Sequence, residues 1–255
     1  MPGWDDRQYL KFADERTRAA RELLARVRVV APTSVIDLGC GPGNSTVLLR
    51  ERWPNAELVG VDTSDEMLAR ARRDLPDIRF VAASAQDFVP LGPVDVWFAN
   101  ALMQWVPAHE ALLVRLLSQL APGGAIAMQV PCNLEEPSHR LMREVPGPWA
   151  AAIGQVRDRA RVGPATAYYD LLAPHAARVD LWQTTYEHVM DDADAIVEWL
   201  KGTGLRPYLE ALAPDMRAAY LEAYTRALGD AYPVRADGKR LFSFPRLFLV
   251  ATQRG

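Results

Sequence analysis

Residues 34–44 read Ser34-Val35-Ile36-Asp37-Leu38-Gly39-Cys40-Gly41-Pro42-Gly43-Asn44. The apolar first part predicts a buried strand, and the alternating glycines predict a sharp turn. A ligand can approach such a turn closely because glycine carries no Cβ atom. A helical pattern resumes at Thr46, so the turn leads into a helix N-terminus, where ligands commonly bind. This strand–turn–helix pattern predicts an α/β fold with a ligand site at the turn.

The spacing of the glycines indicates which kind of ligand the turn favours. A dinucleotide-binding turn has its third glycine three residues after the second. That position is Asn44 here, and Gly43 comes one residue early. Asp37 precedes the first glycine by two residues, and a carboxylate there can accept a hydrogen bond from an ammonium group. The spacing favours a cationic ligand, with a glycine-rich turn that binds nothing as the alternative.

The composition narrows the class of protein. The chain has 255 residues, of which 49% are hydrophobic and 24% charged, as expected for one globular domain over residues 1–255. The net charge of −3 gives no general attraction to nucleic acid or to an anionic membrane. The apolar runs are too short to span a bilayer, and the first residues lack a secretory signal. Cys40 and Cys132 form neither a metal cluster nor a disulfide framework. We therefore expect a cytoplasmic protein, with no metal, nucleic-acid, membrane or protein partner.

Strands and helices alternate along the first half of the chain, which predicts a parallel sheet built from βαβ units. Near-continuous Val, Ile and Phe runs indicate a sheet that is covered on both faces. After residue 130 the pattern changes, and we expect cap elements within 131–177 and 190–238. The predicted strands cover residues 34–37, 57–62, 78–81, 94–99, 125–130, 179–186 and 239–252. The predicted helices cover residues 17–28, 44–51, 65–73, 193–201 and 216–228.

Polar residues follow the strands after the glycine turn. Ligands in open α/β sheets bind at the carboxyl ends of the strands. Asp62 ends the second strand and can accept hydrogen bonds from both hydroxyls of a ribose, or can cap the next helix. After the third strand, Ser84 and the Ala85 N–H group can contact an adenine edge, and Asp87 is a second acceptor for its amino group. A polar loop without ligand contacts is the alternative for this third group.

The fourth strand is followed by Asn100 and Trp105. Asn100 is expected to point into the crevice and to contact the same ligand as the glycine turn, and Trp105 either forms a wall of that crevice or covers the core. Together with the glycine turn, these residues place candidate contacts at four successive strand ends. Such a series is much harder to obtain by chance than one glycine loop, and it favours ligand binding.

The D-x-G-x-G-x-G pattern of residues 37–43 resembles that of class I S-adenosylmethionine-dependent methyltransferases, whose ligand carries an ammonium and a sulfonium. Beyond this turn the chain resembles the trans-aconitate 2-methyltransferase family over residues 9–18, 100–107, 129–139, 197–205, 231–233 and 244–248. One departure is Ser84, where the family more often has an acidic residue, and Asp87 is the substitute. The resemblance implies a doubly wound, Rossmann-like, seven-stranded sheet, mostly parallel, with an antiparallel last strand and a helical cap.

The resemblance also implies a reaction. A methyl group would pass from S-adenosylmethionine to a carboxylate of trans-aconitate, giving a monomethyl ester and S-adenosylhomocysteine. A carboxylate with a pKa of about 4 is already ionised at neutral pH, so no general base is expected. Catalysis would then rest on alignment of the reacting atoms. Alternatives are another small carboxylic acid or natural product as acceptor, an NAD-dependent oxidoreductase, and a non-enzymatic S-adenosylmethionine-binding protein.

A small-molecule carboxylate substrate needs cationic or hydroxyl partners for the carboxylates that do not react. The candidates are Arg246, Arg206, His139 and Tyr169, with a solvated charge or a packed aromatic ring as the alternative for each. Near the N-terminus, residues Gln8, Tyr9 and Phe12 are expected to close over the methyl donor, or to form an ordinary amphipathic segment.

Overall fold

The computed structural model describes residues 13–156 and 162–254, and the side chains of the first helix from Thr17 onward. Gln8, Tyr9 and Phe12 lie outside the described residues. The chain forms two compact units. The sheet unit contains residues 16–132, 162–184 and 246–254, and the helical unit contains residues 13–15, 133–156 and 185–245.

The described residues form one sheet of seven strands in the order β3-β2-β1-β4-β5-β7-β6. Strands β1 to β5 pair in parallel, and β7 pairs antiparallel with β5. This arrangement confirms the predicted doubly wound, mostly parallel sheet with an antiparallel last strand. The strands are β1 Ser34–Leu38, β2 Glu57–Asp62, β3 Arg79–Ala82, β4 Val94–Asn100, β5 Leu120–Pro131, β6 Arg178–Met190 and β7 Arg240–Thr252.

Ten α-helices lie in the described ranges, and none of them is long and apolar enough to cross a membrane. The five predicted helices are all present, and the other five, α4, α5, α6, α7 and α9, were not predicted as individual helices. The single domain and the cap within 131–177 and 190–238 stay predictions. The helices are α1 Ala13–Arg26, α2 Asn44–Arg52, α3 Asp65–Asp74, α4 His109–Ser118, α5 Pro137–Glu144, α6 Ala150–Ile153, α7 Ala165–Leu172, α8 Ala193–Lys201, α9 Arg206–Ala211 and α10 Pro214–Ala231.

The core of the sheet unit is built on the central strands. Val35 and Leu38 in β1 and Trp97 and Phe98 in β4 are fully buried, as expected for strands covered on both faces. Gly60 in β2 pairs with Asp37 of β1, and a Cβ atom there would lie 2.5 Å from the Phe80 ring. Close packing between β2 and β3 therefore requires glycine at this position.

Strand β5 begins earlier than predicted. The Pro122-Gly123-Gly124 turn that was expected before the strand lies inside it, because Leu120 already pairs with Val94 of β4. The register then shifts, and regular pairing resumes at Ala125. The glycines permit this irregularity, since Gly123 has a φ of +76°.

The helical unit has its own aromatic core. Trp199, Tyr220, Tyr224 and Phe242 are among its most buried side chains. The Tyr220 hydroxyl donates to the Met142 carbonyl at 2.9 Å, and the Tyr224 hydroxyl donates to the Ser138 carbonyl. These bonds fasten α10 to α5 within the unit.

Candidate active site

The glycine turn after β1 adopts a conformation that only glycine accepts without strain. Gly39, Gly41 and Gly43 have φ angles of +67°, +54° and +96°. A Cβ atom on Gly41 would meet no atom of the described residues within 4 Å, whereas one on Gly39 would lie 2.8 Å from Leu102. The turn therefore has one side that a ligand can approach, at Gly41.

The backbone N–H groups of the turn already have acceptors. Those of Gly39 and Cys40 donate to the Val61 carbonyl at 2.8 and 3.1 Å, and that of Gly43 donates to the Cys40 carbonyl at 3.0 Å. The Gly41 N–H donates to Asp62 Oδ2 at 2.9 Å. A pyrophosphate would need such groups as donors. Because these N–H groups are already bonded within the protein, they disfavour a dinucleotide at the turn, as the glycine spacing also does.

Asp37 lies beneath the turn and is 0% exposed. Its Oδ2 accepts hydrogen bonds from Ser45 Oγ at 2.8 Å and from Thr46 Oγ1 at 2.7 Å, while its Oδ1 has no hydrogen-bond partner among the described residues. Burial raises the pKa of the Asp37 carboxyl from 3.8 to about 7; the two hydroxyls oppose this rise and the negative Asp62 adds to it. A cation at the turn would favour the ionised form. A buried carboxyl with an unpartnered oxygen fits the predicted cationic ligand.

Asp62, at the end of β2, holds the turn in place. Its Oδ2 accepts from the Gly41 N–H and its Oδ1 from the Ser64 N–H, both at 2.9 Å. The N-cap of α3 is Ser64 itself, whose Oγ accepts from the Met67 N–H at 3.3 Å. Each carboxylate oxygen of Asp62 has a further lone pair for a hydroxyl donor. The predicted contact with ribose is compatible with this geometry and stays a prediction.

Ser84 and Asp87, after β3, are bonded to each other. Ser84 Oγ donates to Asp87 Oδ2 at 2.6 Å and accepts from the Asp87 N–H at 3.1 Å. The neighbouring Ala85 is buried, and its carbonyl accepts from Arg115 at 2.7 Å. The Ser84 hydroxyl proton is therefore used within the loop, and the exposed Asp87 carboxylate is the stronger acceptor of the two. The adenine contacts of this loop stay predictions.

Asn100 at the end of β4 belongs to a polar chain that the sequence analysis missed. Gln129, buried in β5 with 0% exposure, donates from Nε2 to Asn100 Oδ1 at 3.0 Å. Its Oε1 accepts from an Arg246 N–H at 2.8 Å. The sequence does carry one sign of this role, since Gln129 is the single amide side chain between Met128 and Val130 in an otherwise apolar strand. The structure thus connects a predicted cofactor residue with a predicted substrate residue.

Trp105 lies in a short 3-10 turn, Met103–Trp105, and is 49% exposed. It therefore does not belong to the core. Tyr169, on α7, is 52% exposed, whereas the adjacent Tyr168 is buried with its hydroxyl 2.7 Å from His109 Nε2. Both rings are thus about half exposed, and the ligand contacts of Trp105 and Tyr169 stay predictions.

The other two substrate candidates lie in the helical unit. Arg206, exposed at the start of α9, pairs with Glu210 at 2.7 Å. His139 is buried on α5, with its Nδ1 3.1 Å from Ser138 Oγ. A Cβ atom on Gly204 would lie 3.0 Å from His139 Nε2, so the two residues are packed closely. The contacts seen for Arg206 and His139 are internal to the unit, and substrate binding by either stays a prediction.

Cys40 is a poor candidate for a nucleophile. Burial raises the pKa of its thiol far above the ordinary value, and the nearby Asp37 and Asp62 carboxylates raise it further. A thiol that stays protonated at neutral pH has little reactivity. Its position in the turn is explained by its small, buried side chain.

Comparisons with known proteins indicate the class to which the chain belongs. Residues 35–124 match a family model described as a methyltransferase domain. The solved structure of phosphoethanolamine N-methyltransferase 2 from Haemonchus contortus, in complex with phosphomonomethylethanolamine and S-adenosylhomocysteine, aligns with 93% of this chain and 53% of its own. Its TM-score is 0.57 and its identity 14%, a likeness in fold alone. The matched domain, together with the fold, indicates a methyltransferase built on a Rossmann-like sheet.

Relatives of similar length identify the family. The trans-aconitate 2-methyltransferase of Azoarcus sp. (strain BH72) is 62% identical over 99% of this chain and 100% of its own. That of Methylobacterium radiotolerans is 56% identical over 98% of each chain. The chain belongs to the trans-aconitate 2-methyltransferase family.

Proposed function

We propose that this protein transfers a methyl group from S-adenosylmethionine to a carboxylate of trans-aconitate, releasing a monomethyl ester and S-adenosylhomocysteine. The observation that carries the proposal is the 62% identity over 99% of the chain to a protein named for this reaction. The acceptor is a small carboxylic acid, and the protein acts in the cytoplasm, where a thiol such as that of Cys40 stays reduced.

The site at the glycine turn fits the methyl donor. When bound, S-adenosylmethionine supplies a methyl group on a positively charged sulfur. Asp37 would become fully ionised beside this charge, because a nearby cation lowers the pKa of a carboxyl. Asp62 would accept hydrogen bonds from the ribose while keeping Gly41 in its turn conformation. The pair of Ser84 and Asp87, with the Ala85 N–H group, would receive the adenine.

The acceptor needs alignment rather than activation. Its carboxylates are ionised at neutral pH, so no residue has to remove a proton. The protein contributes by holding one carboxylate oxygen in line with the methyl group, which is a proximity effect. We propose that Arg246 binds a carboxylate that does not react, with Arg206, His139 and Tyr169 as further candidates.

The test is an acceptor panel. Purified protein is incubated with S-adenosylmethionine and a series of di- and tricarboxylic acids, and formation of S-adenosylhomocysteine and of each ester is followed by mass spectrometry. Trans-aconitate is expected to give the highest kcat/KM. Turnover of another acid without turnover of trans-aconitate would overturn the acceptor, and binding of NADH in place of S-adenosylhomocysteine would overturn the class.

A further inference from the structure

The chain of hydrogen bonds through Gln129 has a fixed direction. The Arg246 guanidinium carries only donors, so the group of Gln129 that faces it at 2.8 Å must be the amide oxygen. The Gln129 amide nitrogen then faces Asn100 and requires an acceptor there. Asn100 must therefore turn its oxygen inward, at 3.0 Å, which directs its own NH₂ group away from Gln129.

The pairing of the strands explains how these three side chains meet. Asn100 of β4 lies opposite Gln129 of β5, and Arg246 of β7 lies opposite Pro131, two residues further along β5. Residues opposite one another, and residues two apart on a strand, share one face of a sheet. All three side chains thus lie on one face, at the edge where β4 and β5 end.

The strand order gives the position of this edge relative to the glycine turn. The strand order β1-β4-β5-β7 places Gln129 and Arg246 on the side of β4 that faces away from β1 and its glycine turn. Gln129 is fully buried and Arg246 is 7% exposed, whereas Asn100 is only partly buried. Asn100 is therefore the more accessible end of the chain, and its outward amide group offers a pair of N–H donors.

We propose that Gln129 is a positioning residue, which holds the Asn100 amide so that its N–H groups donate to a carboxylate of the acidic methyl acceptor. Arg246, at the other end of the chain, fixes the orientation of Gln129. The inference rests on the proposed function and extends it, because it places Asn100 against the acceptor rather than the donor. An amide held with its oxygen outward would repel the same carboxylate, so the orientation of Asn100 sets the preference for an acid.

Replacing Gln129 with glutamate tests the orientation directly. The new carboxylate has nearly the same size and still accepts from Arg246, but it offers no donor to Asn100. The Asn100 amide would then turn its nitrogen inward and its oxygen towards the acceptor. A hydrogen bond to a charged group is worth about 1.5–3 kcal/mol, so Gln129→Glu should raise the KM for the acid by about 10-fold or more. The Kd of S-adenosylhomocysteine should stay within about twofold, a separation that general structural damage would not produce.

Two further variants complete the experiment. Gln183→Glu makes the same chemical change at an exposed glutamine of β6 and should leave both constants unchanged. Asn100→Asp keeps an oxygen for Gln129 but replaces the outward donor with an oxygen, so it should raise the acid's KM at least as much as Gln129→Glu. Because Asn100 is partly buried at a strand end, this variant tests the inference even if the altered Gln129 position impairs folding.

A double-mutant cycle shows whether Gln129 acts through Asn100. Gln129→Glu should raise the KM for the acid by some factor in the unaltered protein. In an Asn100→Ala background, the same change should raise this KM by a factor at least three times smaller. Equal factors in both backgrounds, or a parallel loss of S-adenosylhomocysteine binding, would overturn the inference while turnover of the unaltered protein upholds the proposed function. Failure of the unaltered protein to methylate any acid would instead overturn the proposed function.

Discussion

Replacing Asp37 with asparagine is expected to change how the stability of the protein depends on pH. The Asp37 carboxyl is fully buried, and its pKa is raised from 3.8 to about 7. The folded protein therefore holds this proton more tightly than the unfolded chain does. The stabilising effect of the bound proton is complete below pH 3.8 and is lost as the pH rises through 7.

The size of the effect follows from the shift. One pKa unit corresponds to about 1.4 kcal/mol, so a shift of about three units represents roughly 4 kcal/mol in total. Between pH 5 and pH 8 the contribution of Asp37 to the free energy of unfolding should fall by about 2.5 kcal/mol. Asparagine does not titrate, and its oxygen can still accept from the Ser45 and Thr46 hydroxyls, so Asp37→Asn should lack this fall.

The assay is urea unfolding of the ligand-free protein, followed by tryptophan fluorescence at pH 5, 6, 7 and 8. The free energy of unfolding of Asp37→Asn, minus that of the unaltered protein, should rise by about 2.5 kcal/mol across this range. Asp170→Asn, which removes an exposed carboxyl on α7, is the matched control for the loss of one carboxylate from the chain. The same Asp37 variant should bind S-adenosylhomocysteine more weakly because it lacks the negative charge.

The reasoning about Asp37 would be refuted by parallel pH profiles for Asp37→Asn and the unaltered protein. Such a result would mean that the buried carboxyl is ionised in the folded protein at pH 5 without cost. A gain in stability at high pH together with weaker ligand binding would instead show that the protein tolerates an unfavourable buried charge for the sake of binding.

Further substitutions separate binding from stability. Asp62→Ala removes the acceptor of the Gly41 and Ser64 N–H groups, so it should lower the Tm. It should also weaken S-adenosylhomocysteine binding about 10-fold or more, as measured by calorimetric titration. Unchanged affinity would show that Asp62 does not bind the methyl donor. Gly41→Ala should weaken the same affinity at a cost of about 1–2 kcal/mol in stability, because its φ of +54° is strained for alanine and the added methyl group enters open space. Unchanged affinity in this variant would show that the ligand does not approach the turn at Gly41. Arg246→Ala should raise the KM for the acid and leave the Kd of S-adenosylhomocysteine unchanged, and an unaltered KM would exclude it from acceptor binding. Arg206→Ala loses an exposed ion pair worth less than about 1 kcal/mol, so the Tm should hardly change, and the KM for the acid then decides whether Arg206 binds substrate.

Strong local patterns allowed much of the fold to be predicted from the sequence. The bounds of β2 and α8 agree with the predicted residues 57–62 and 193–201, because each has a clear periodicity and clear end signals. Helix α4 was not predicted, since it follows Ala108, which has a φ of +50° and makes no side-chain cap hydrogen bond. The early start of β5 was missed because the pairing of Leu120 with Val94 overrides the turn preference of proline and glycine.

The candidate site also has a part that the sequence predicts and a part that only the structure shows. The glycine turn and the polar strand ends were visible in the sequence, since each depends on residues close together in the chain. Gln129 was missed because its role depends on the register of β4 with β5 and of β5 with β7. Such contacts join residues 29 and 117 positions apart, and a local pattern carries no information about them.

The central claim is methyl transfer to an oxygen of trans-aconitate, and labelling of the methyl group tests it most directly. The protein is incubated with trans-aconitate and S-adenosylmethionine that carries ¹³C in its methyl group, and the product is examined by NMR and mass spectrometry. The account predicts one labelled methyl ester that alkaline hydrolysis releases as methanol, with an equal amount of S-adenosylhomocysteine. Label on a carbon atom of the acid, or S-adenosylhomocysteine without any ester, would contradict it.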